Sequence, residues 1–397
     1  MVYRIPNQDP GAHGRHGGPG PTFDARISTR TALIPVTAEG GKNLRIGLDG
    51  SKFPDTEALG PLKTISAARD IGAEGVFFRT VLSMSPTLDR GELREIRAHA
   101  DGLGMYLESG LGKVNPYALP ESPEIRAIGD GDTRLGFQRM IEACAEIDCR
   151  ELWAGTAGIK NFAGRFAYDR FRTDAPWPDQ LRATAQFLSL IAPVARDHGV
   201  HINLETHEEI TSFELLRLID AVGDDVVGLV FDTANLMQRA ENPASVVNRI
   251  APYVRQTHIT DAALTFTNGG VLYQSRPVGG GAVDLPRIVA ELRAVVPQVN
   301  LTVENPKPRL DTVRSYPFAQ PRRLEIFDAQ WQAGHPDLSA AGLADFVEIV
   351  TACESRMRAG DIPSIEQYQS VPFSHDDAIE FITAAMAYLA RLIQPPQ

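Results

Sequence analysis

Along the chain, short apolar runs alternate with longer segments in which apolar residues recur at helical spacing. The runs are "LRIGLDG" (44–50), "GVFFRT" (75–80), "MYLESG" (105–110), "ELWAGT" (151–156), "HINLET" (201–206), "VGLVFDT" (227–233), "VRQTHIT" (254–260) and "NLTVEN" (300–305). Between them lie helical segments such as "DRGELREIRAHADGLG", "QLRATAQFLSLIAPVARDHG" and "LPRIVAELRAVV", several ending in Gly just before the next strand. Successive βα units of this kind predict an α/β fold, a (β/α)8 TIM barrel, with a doubly wound open sheet as the competing arrangement.

Polar residues decide between the two. Asp49, Arg79, Glu108, Glu205, Asp232, His258 and Glu304 all fall at the C-terminal ends of predicted strands. In a barrel those ends converge on one mouth, whereas an open sheet strings them along an edge. Residues 1–42 are rich in Gly, Pro and polar groups and read as an extended N-terminal arm. Residues 43–397 are expected to form a single barrel domain, with insertions near 159–177 and 305–338 and extra C-terminal helices near 340–358 and 375–393.

The stretch "NLETHEEITSFELL" (203–216) crowds Glu205, His207, Glu208 and Glu209 together. Glu208 and Glu209 suit the first turn of the helix that follows. Glu205 does not: a period of two puts it with Asn203 and His207 on one side of a strand end. Glu205, Asp232, His258 and Glu304 end strands that are one βα unit apart, or one unit plus the loop "LTFTNGGVLYQSRPVGGGAVD". Three carboxylates and an imidazole at one mouth repel unless a divalent cation neutralises them. Oxygen-rich ligation with one nitrogen suits Mn²⁺ or Mg²⁺, ahead of Co²⁺ or Zn²⁺.

Composition narrows the partners. A formal net charge of −11 over 397 residues argues against nucleic acid and anionic membranes, which need Lys/Arg fields. Cys144, Cys149 and Cys353 lack metal-site spacing and read as structural thiols of a reducing compartment. No apolar run approaches a membrane span and the N-terminus lacks an apolar signal core, so a cytoplasmic location is expected. The terminal helices and inserted loops point to subunit contacts, in a homo-oligomer or with an accessory subunit.

The segments "NLETHEEITSFELLRLIDAVGDDVVGLVFDTANL", "APYVRQTHITDA", "SRPVGGGAVDLPRIVAEL" and "NLTVEN" resemble successive motifs of the xylose-isomerase-like TIM-barrel superfamily. The resemblance covers about residues 44–305 and is most specific from 201 onward. It implies metal-ligand roles for Glu205, Asp232, His258 and Glu304. It also implies substrate contacts for Asn235 and for Arg276, the latter in a Gly-rich loop. The substrate would be a small-molecule sugar or sugar derivative, and the activity a metal-dependent isomerase or epimerase that forms an enediolate. Glu205 and Glu304 would abstract and return the proton. The alternatives are a lyase of the same superfamily, a dehydratase or 3-oxo-C-glycoside deglycosidase with His207 as acid/base, and a non-catalytic sugar-binding barrel. Glu108 and Lys113, around the third strand end, are candidates for orienting substrate or for pairing with each other.

Overall fold

The computed structural model describes residues 44–158, 166–304, 321–370 and 374–394. The expected arm, and residues 159–165 and 305–320 of the expected insertions, lie outside the described residues.

Seven of the apolar runs form β1 (Ile46–Asp49), β2 (Gly75–Phe77), β3 (Tyr106–Lys113), β4 (Glu151–Gly155), β5 (His201–Glu205), β6 (Val227–Asp232) and β7 (Val254–His258). Two further strands follow, β8 (Asp261–Thr267) and β9 (Gly270–Arg276), before the eighth run forms β10 (Leu301–Val303). The sheet order is β10-β1-β2-β3-β4-β5-β6-β7 with every pairing parallel. Just past β7, Ile259 donates its N–H to the Thr302 carbonyl at 2.7 Å, and Glu304 returns one to Ile259 at 3.2 Å, drawing the ends of the sheet together. The result is a nearly closed (β/α)8 barrel, and the open-sheet alternative is set aside.

Helices α1 (Thr56–Asp70), α2 (Arg90–Gly102), α3 (Pro123–Ile128), α4 (Thr133–Glu146), α5 (Trp177–His198), α6 (Ser212–Val222), α7 (Pro243–Ile250) and α8 (Leu285–Val295) lie between the strands. Their buried faces, such as Leu93, Ile96 and Ala100 of α2, pack on the outside of the barrel. Helix α6 is started by a capping box between Thr211 and Glu214. Glu208 and Glu209 therefore precede the helix instead of forming its first turn, which corrects that part of the sequence reading.

The barrel interior is layered. At the floor, where strands begin, Tyr106 shares a hydrogen bond with Thr302 at 2.9 Å, and Asn203 donates to Gln256 at 3.2 Å. Gly75 faces the Tyr106 ring so closely that a Cβ there would collide with it. Above the floor, Phe77, Trp153 and Val230 form a separate small apolar cluster that supports the mouth.

The loop after β7 is a correction. It is an antiparallel hairpin of β8 and β9, turned by Asn268 and by Gly269 at φ 89°. Gly269 supplies the left-handed backbone at the second position of this two-residue turn, at no cost because it lacks a Cβ. After the undescribed segment, β11 (Arg322–Leu324) adds a third strand against β9. Then come α9 (Ala329–Ala333), α10 (Ala340–Ala359), α11 (Ile365–Gln369) and α12 (His375–Ile393). Helix α10 packs on β8, whereas α12 packs on β1, β10 and α8 and so takes the eighth helical position. Among the described residues, no helix is long and apolar enough to cross a membrane.

Candidate functional site

Glu205, Asp232 and His258 are the last residues of β5, β6 and β7, and Glu304 directly follows β10. Each offers one ligand atom, these atoms all lie within 4.8 Å of one another, and all four residues are buried. His258 Nδ1 lies 2.8 Å from Glu205 Oε1 and 3.1 Å from Glu304 Oε2. Asp232 Oδ1 is taken by the Ala234 and Asn235 N–H groups, at 3.0 and 2.9 Å, and by the Thr260 hydroxyl at 2.6 Å. With Oδ1 so engaged, Oδ2 is the oxygen that could serve a metal.

This donor set fits a divalent cation. Two carboxylate oxygens converge on one ring nitrogen, which can donate to only one of them. Glu304 Oε2 is buried without a hydrogen bond. Burial, and next the charge on Glu205, pushes the Asp232 carboxyl up to about 6. For Glu205, burial acts upward but is outweighed by His207 and His258, which hold it below the usual carboxylate range. Three buried oxygen donors and one imidazole suit Mn²⁺ or Mg²⁺.

Neighbours fix these ligands. Trp153 Nε1 donates to Glu205 Oε2 at 2.9 Å, and the Arg79 guanidinium lies 4.7 Å from the Trp153 ring centre. Arg79 reaches Glu304 Oε1 at 3.4 Å, and Lys52 pairs with the same carboxylate. The Lys52 ammonium is lowered to about 8, first by burial and then by Arg79.

His207 explains the crowded acids. Its Nδ1 meets Glu209 Oε2 at 2.5 Å, and the other Glu209 oxygen accepts from Thr156. Its Nε2 lies 3.7 Å from Glu205 Oε2 and 3.5 Å from Glu208 Oε2. Burial acts to lower this imidazole, but Glu208, Glu209 and Glu205 outweigh it and carry it up to about 10. His207 and the candidate metal position thus together face five neighbouring carboxylates, Glu205, Glu208, Glu209, Asp232 and Glu304.

Of the other residues singled out from sequence, Glu108 lies away from the mouth cavity, whereas Lys113 and Arg276 line it and are bonded to other groups of the protein. Glu108 is not at the mouth but at the barrel floor, accepting from Asn300 Nδ2 at 2.8 Å and from Thr302 at 3.2 Å. Lys113, five residues further along β3, lines the outer cavity and pairs with Glu121 at 2.7 Å, so no Glu108–Lys113 pair forms. Arg276 ends β9 rather than lying in the Gly-rich loop. Its guanidinium donates to Gln274 Oε1 at 2.7 Å and to the Pro363 and Ser364 carbonyls, both at 3.1 Å, and lies 4.1 Å from the Tyr368 ring centre. It ties the hairpin to the start of α11. Arg276→Ala should therefore cost on the order of 2–3 kcal/mol, because buried carbonyls lose charge-assisted donors. A urea midpoint unchanged from wild type would contradict this structural role.

Burial pushes the Glu108 carboxyl up to about 7, offset in part by Asn300. The folded protein thus keeps a proton that the unfolded chain has already released at the ordinary glutamate value. The associated stability is full below that ordinary value and lost as pH rises through about 7. Glu108→Gln stays neutral, and Thr302 can turn to accept from its amide. The variant should gain on the order of 2 kcal/mol on wild type between about pH 5 and about pH 8. Parallel stability–pH curves would contradict the assignment.

The cluster opens into a cavity of about 1170 Å³. Its lining includes Asn235 as expected, together with Tyr273 and Arg322, which carry no strand-end signature in the sequence. Of these, Tyr273 was within reach of sequence reasoning, through the Asn-Gly hairpin signal.

Among curated proteins, the chain is 27% identical over 204 residues to the uncharacterized protein YihM of Escherichia coli (strain K12), covering 49% of this chain and 62% of YihM. It is 27% identical over 143 residues to a 3-oxo-isoapionate decarboxylase of Pectobacterium atrosepticum, covering 36% of this chain and 52% of that protein. The chain thus spans between half and two thirds of the length of these curated relatives. Among solved structures, an L-ribulose 3-epimerase shares the fold at a TM-score of 0.53 and 17% identity, over 88% of this chain and 94% of that one. The family model described as "Xylose isomerase-like TIM barrel" matches residues 65–321, more than half of the chain. By that match, and by a barrel whose mouth gathers the residues described above, the chain belongs to the xylose isomerase-like TIM-barrel family.

Proposed function

We propose that the chain is a divalent-metal-dependent sugar isomerase or epimerase that begins by removing a proton from a carbon next to a carbonyl. The observation that carries this reading is the pair of buried carboxylates, Glu205 and Glu304, clustered with Asp232 and His258 at the mouth. A Mn²⁺- or Mg²⁺-class cation held by these four side chains would supply the positive charge that acidifies that carbon. Glu205 takes the proton at a carboxylate oxygen, and Glu304 returns it to the opposite face or the adjacent carbon. The Trp153 N–H orients Glu205, while Lys52 and Arg79 pair with Glu304 and hold its carboxylate in place. Asn235 contacts the sugar from the cavity wall. The shared fold with an L-ribulose 3-epimerase supports a small-molecule sugar as ligand.

A second reading, a lyase acting on a 3-oxo sugar derivative, is favoured by the similarity to 3-oxo-isoapionate decarboxylase and by His207. His207, oriented by Glu209, is placed to hand a proton to a leaving group or to the carbon left behind. Both readings share the same opening carbanion chemistry; they differ in whether the substrate keeps all its atoms.

Ketoses and 3-oxo-glycosides incubated in D₂O with the Mn²⁺-loaded protein should acquire deuterium at the carbon beside the carbonyl. An isomerase returns a product of unchanged composition, and a lyase releases a fragment. Turnover of a confirmed substrate without deuterium uptake, and without a primary isotope effect at that carbon, would sink both.

A further inference from the structure

We propose that the chain binds a small oxyanion of the inorganic sulfate or phosphate class in a second cavity, where the buried Arg239 meets the N-termini of α6, α7 and α10. This goes beyond the proposed reaction and does not depend on it.

The second cavity has a volume of about 180 Å³ and shares no lining residue with the one at the barrel mouth. Arg239, in the turn that follows β6, lines it together with His335, and both side chains are buried. Arg239 Nη1 lies 3.0 Å from His335 Nε2, and His335 Nδ1 lies 2.7 Å from the Trp331 carbonyl. A carbonyl only accepts, so Nδ1 carries the ring proton and Nε2 accepts from Arg239. His335 is therefore a neutral partner and brings no counter-charge.

The rest of this guanidinium is unspent. Arg239 Nε and Nη2 are buried without a hydrogen-bond partner. What packs on the group is aromatic, the Tyr168 ring centre at 4.6 Å and that of Trp331 at 5.8 Å. Burial, and next the Arg170 charge, lower Arg239 to about 10, which leaves it charged at neutral pH. The acids that offset this charge, Glu209 and Glu214, are bonded to other groups: Glu209 to His207 and Thr156, and Glu214 to Arg170, Trp177 and Thr211. A buried cation with two unpartnered nitrogens is costly, and a hydrogen-bonded anion removes that cost.

The cavity suits such an anion. Thr211, Asn242 and Ser339 are the N-caps of α6, α7 and α10, and all three line it. Each helix start adds a positive partial charge beside its cap. Three acids line the cavity too, and each is engaged: Glu241 accepts from Ser212 and Arg249, Asp337 from Arg217, and Asp345 from Asn242. The volume lies below the roughly 300–1,000 Å³ of pockets that enclose drug-sized ligands, which favours a bare anion over a larger organic one. An oxyanion accepts on several sides at once, as donors approaching from a guanidinium and three helix ends require.

The test titrates the full-length, Mn²⁺-loaded protein with millimolar sodium sulfate, against sodium chloride at matched ionic strength, by calorimetry and thermal unfolding. Wild type should bind one sulfate per chain with a dissociation constant on the order of a millimolar or below, and at ten times that concentration its midpoint should rise by about 2 °C. Arg239→Gln should abolish both signals. Ser245→Asp, which keeps Arg239 and places a carboxylate of the protein's own on the cavity lining, should abolish them as well, and it decides the matter if Arg239→Gln does not fold. No sulfate response in wild type would mean that the two nitrogens hold only water, and would overturn the assignment. So would an equal response to chloride, or a sulfate response that survives in the folded variants, as it would for an anion held at the mouth.

Discussion

A Glu205→Gln protein is expected to lose at least on the order of 10³-fold in kcat/KM together with its bound metal, while staying folded. The Trp153 N–H can still donate to the amide oxygen of the new side chain, which keeps its orientation. The amide nitrogen then occupies the position of the oxygen that faces His258 Nδ1 at 2.8 Å. An N–H group there neither binds a cation nor accepts a proton. Metal content by mass spectrometry, kcat/KM and the far-UV spectrum check the three parts of the expectation. Activity within tenfold of wild type, with metal retained, would remove Glu205 from both roles.

Glu214→Leu is expected to cost about 3–5 kcal/mol of stability, far more than loss of an exposed pair. Arg170 donates from both terminal nitrogens to the Glu214 carboxylate at 3.1 Å, and both side chains are buried. The same carboxylate accepts from Trp177 Nε1 at 3.0 Å and from Thr211 N at 2.8 Å. Arg239 is also buried nearby, and burial followed by the Arg170 charge lowers it to about 10. Removing Glu214 leaves two neighbouring guanidiniums without that counter-charge, and water cannot replace it. Asp225 provides the contrast: it pairs with Arg196 at 2.6 Å on the surface, and Asp225→Asn should cost less than about 1 kcal/mol. Similar losses in urea unfolding for the two variants would show that the buried pair is not the anchor described.

The site was legible wherever chemistry followed strand rhythm. Glu205, Asp232 and His258 close three consecutive strands, so their distances along the chain already imply adjacency in space. Glu108 shows where that logic stops. Strand β3 runs on to Lys113, and its register places Glu108 beside Phe77 of β2, with its carboxylate bonded to the start of β10. An apolar run announces a strand without saying which residue reaches the mouth. The hairpin was readable from Asn268–Gly269 between alternating residues, and the sequence reading took it for a loop.

Arg276 and Arg322 could not be assigned from local pattern at all. Arg276 finds its partners at Pro363, Ser364 and Tyr368, nearly a quarter of the chain away. Arg322 reaches the cavity because β11 pairs with β9, a contact made across a segment without hydrophobic period.

The amino-acid sequence by itself determined the barrel, its eight strands and the four residues that meet at its mouth. Strands buried on both faces must be apolar, and carboxylates at successive strand ends must converge when the sheet closes. Only the tertiary structure decided which polar groups line the cavity and which, like Glu108, are consumed at the barrel floor. Hydrogen-bond polarity depends on partners far apart in the chain, and no local period records it.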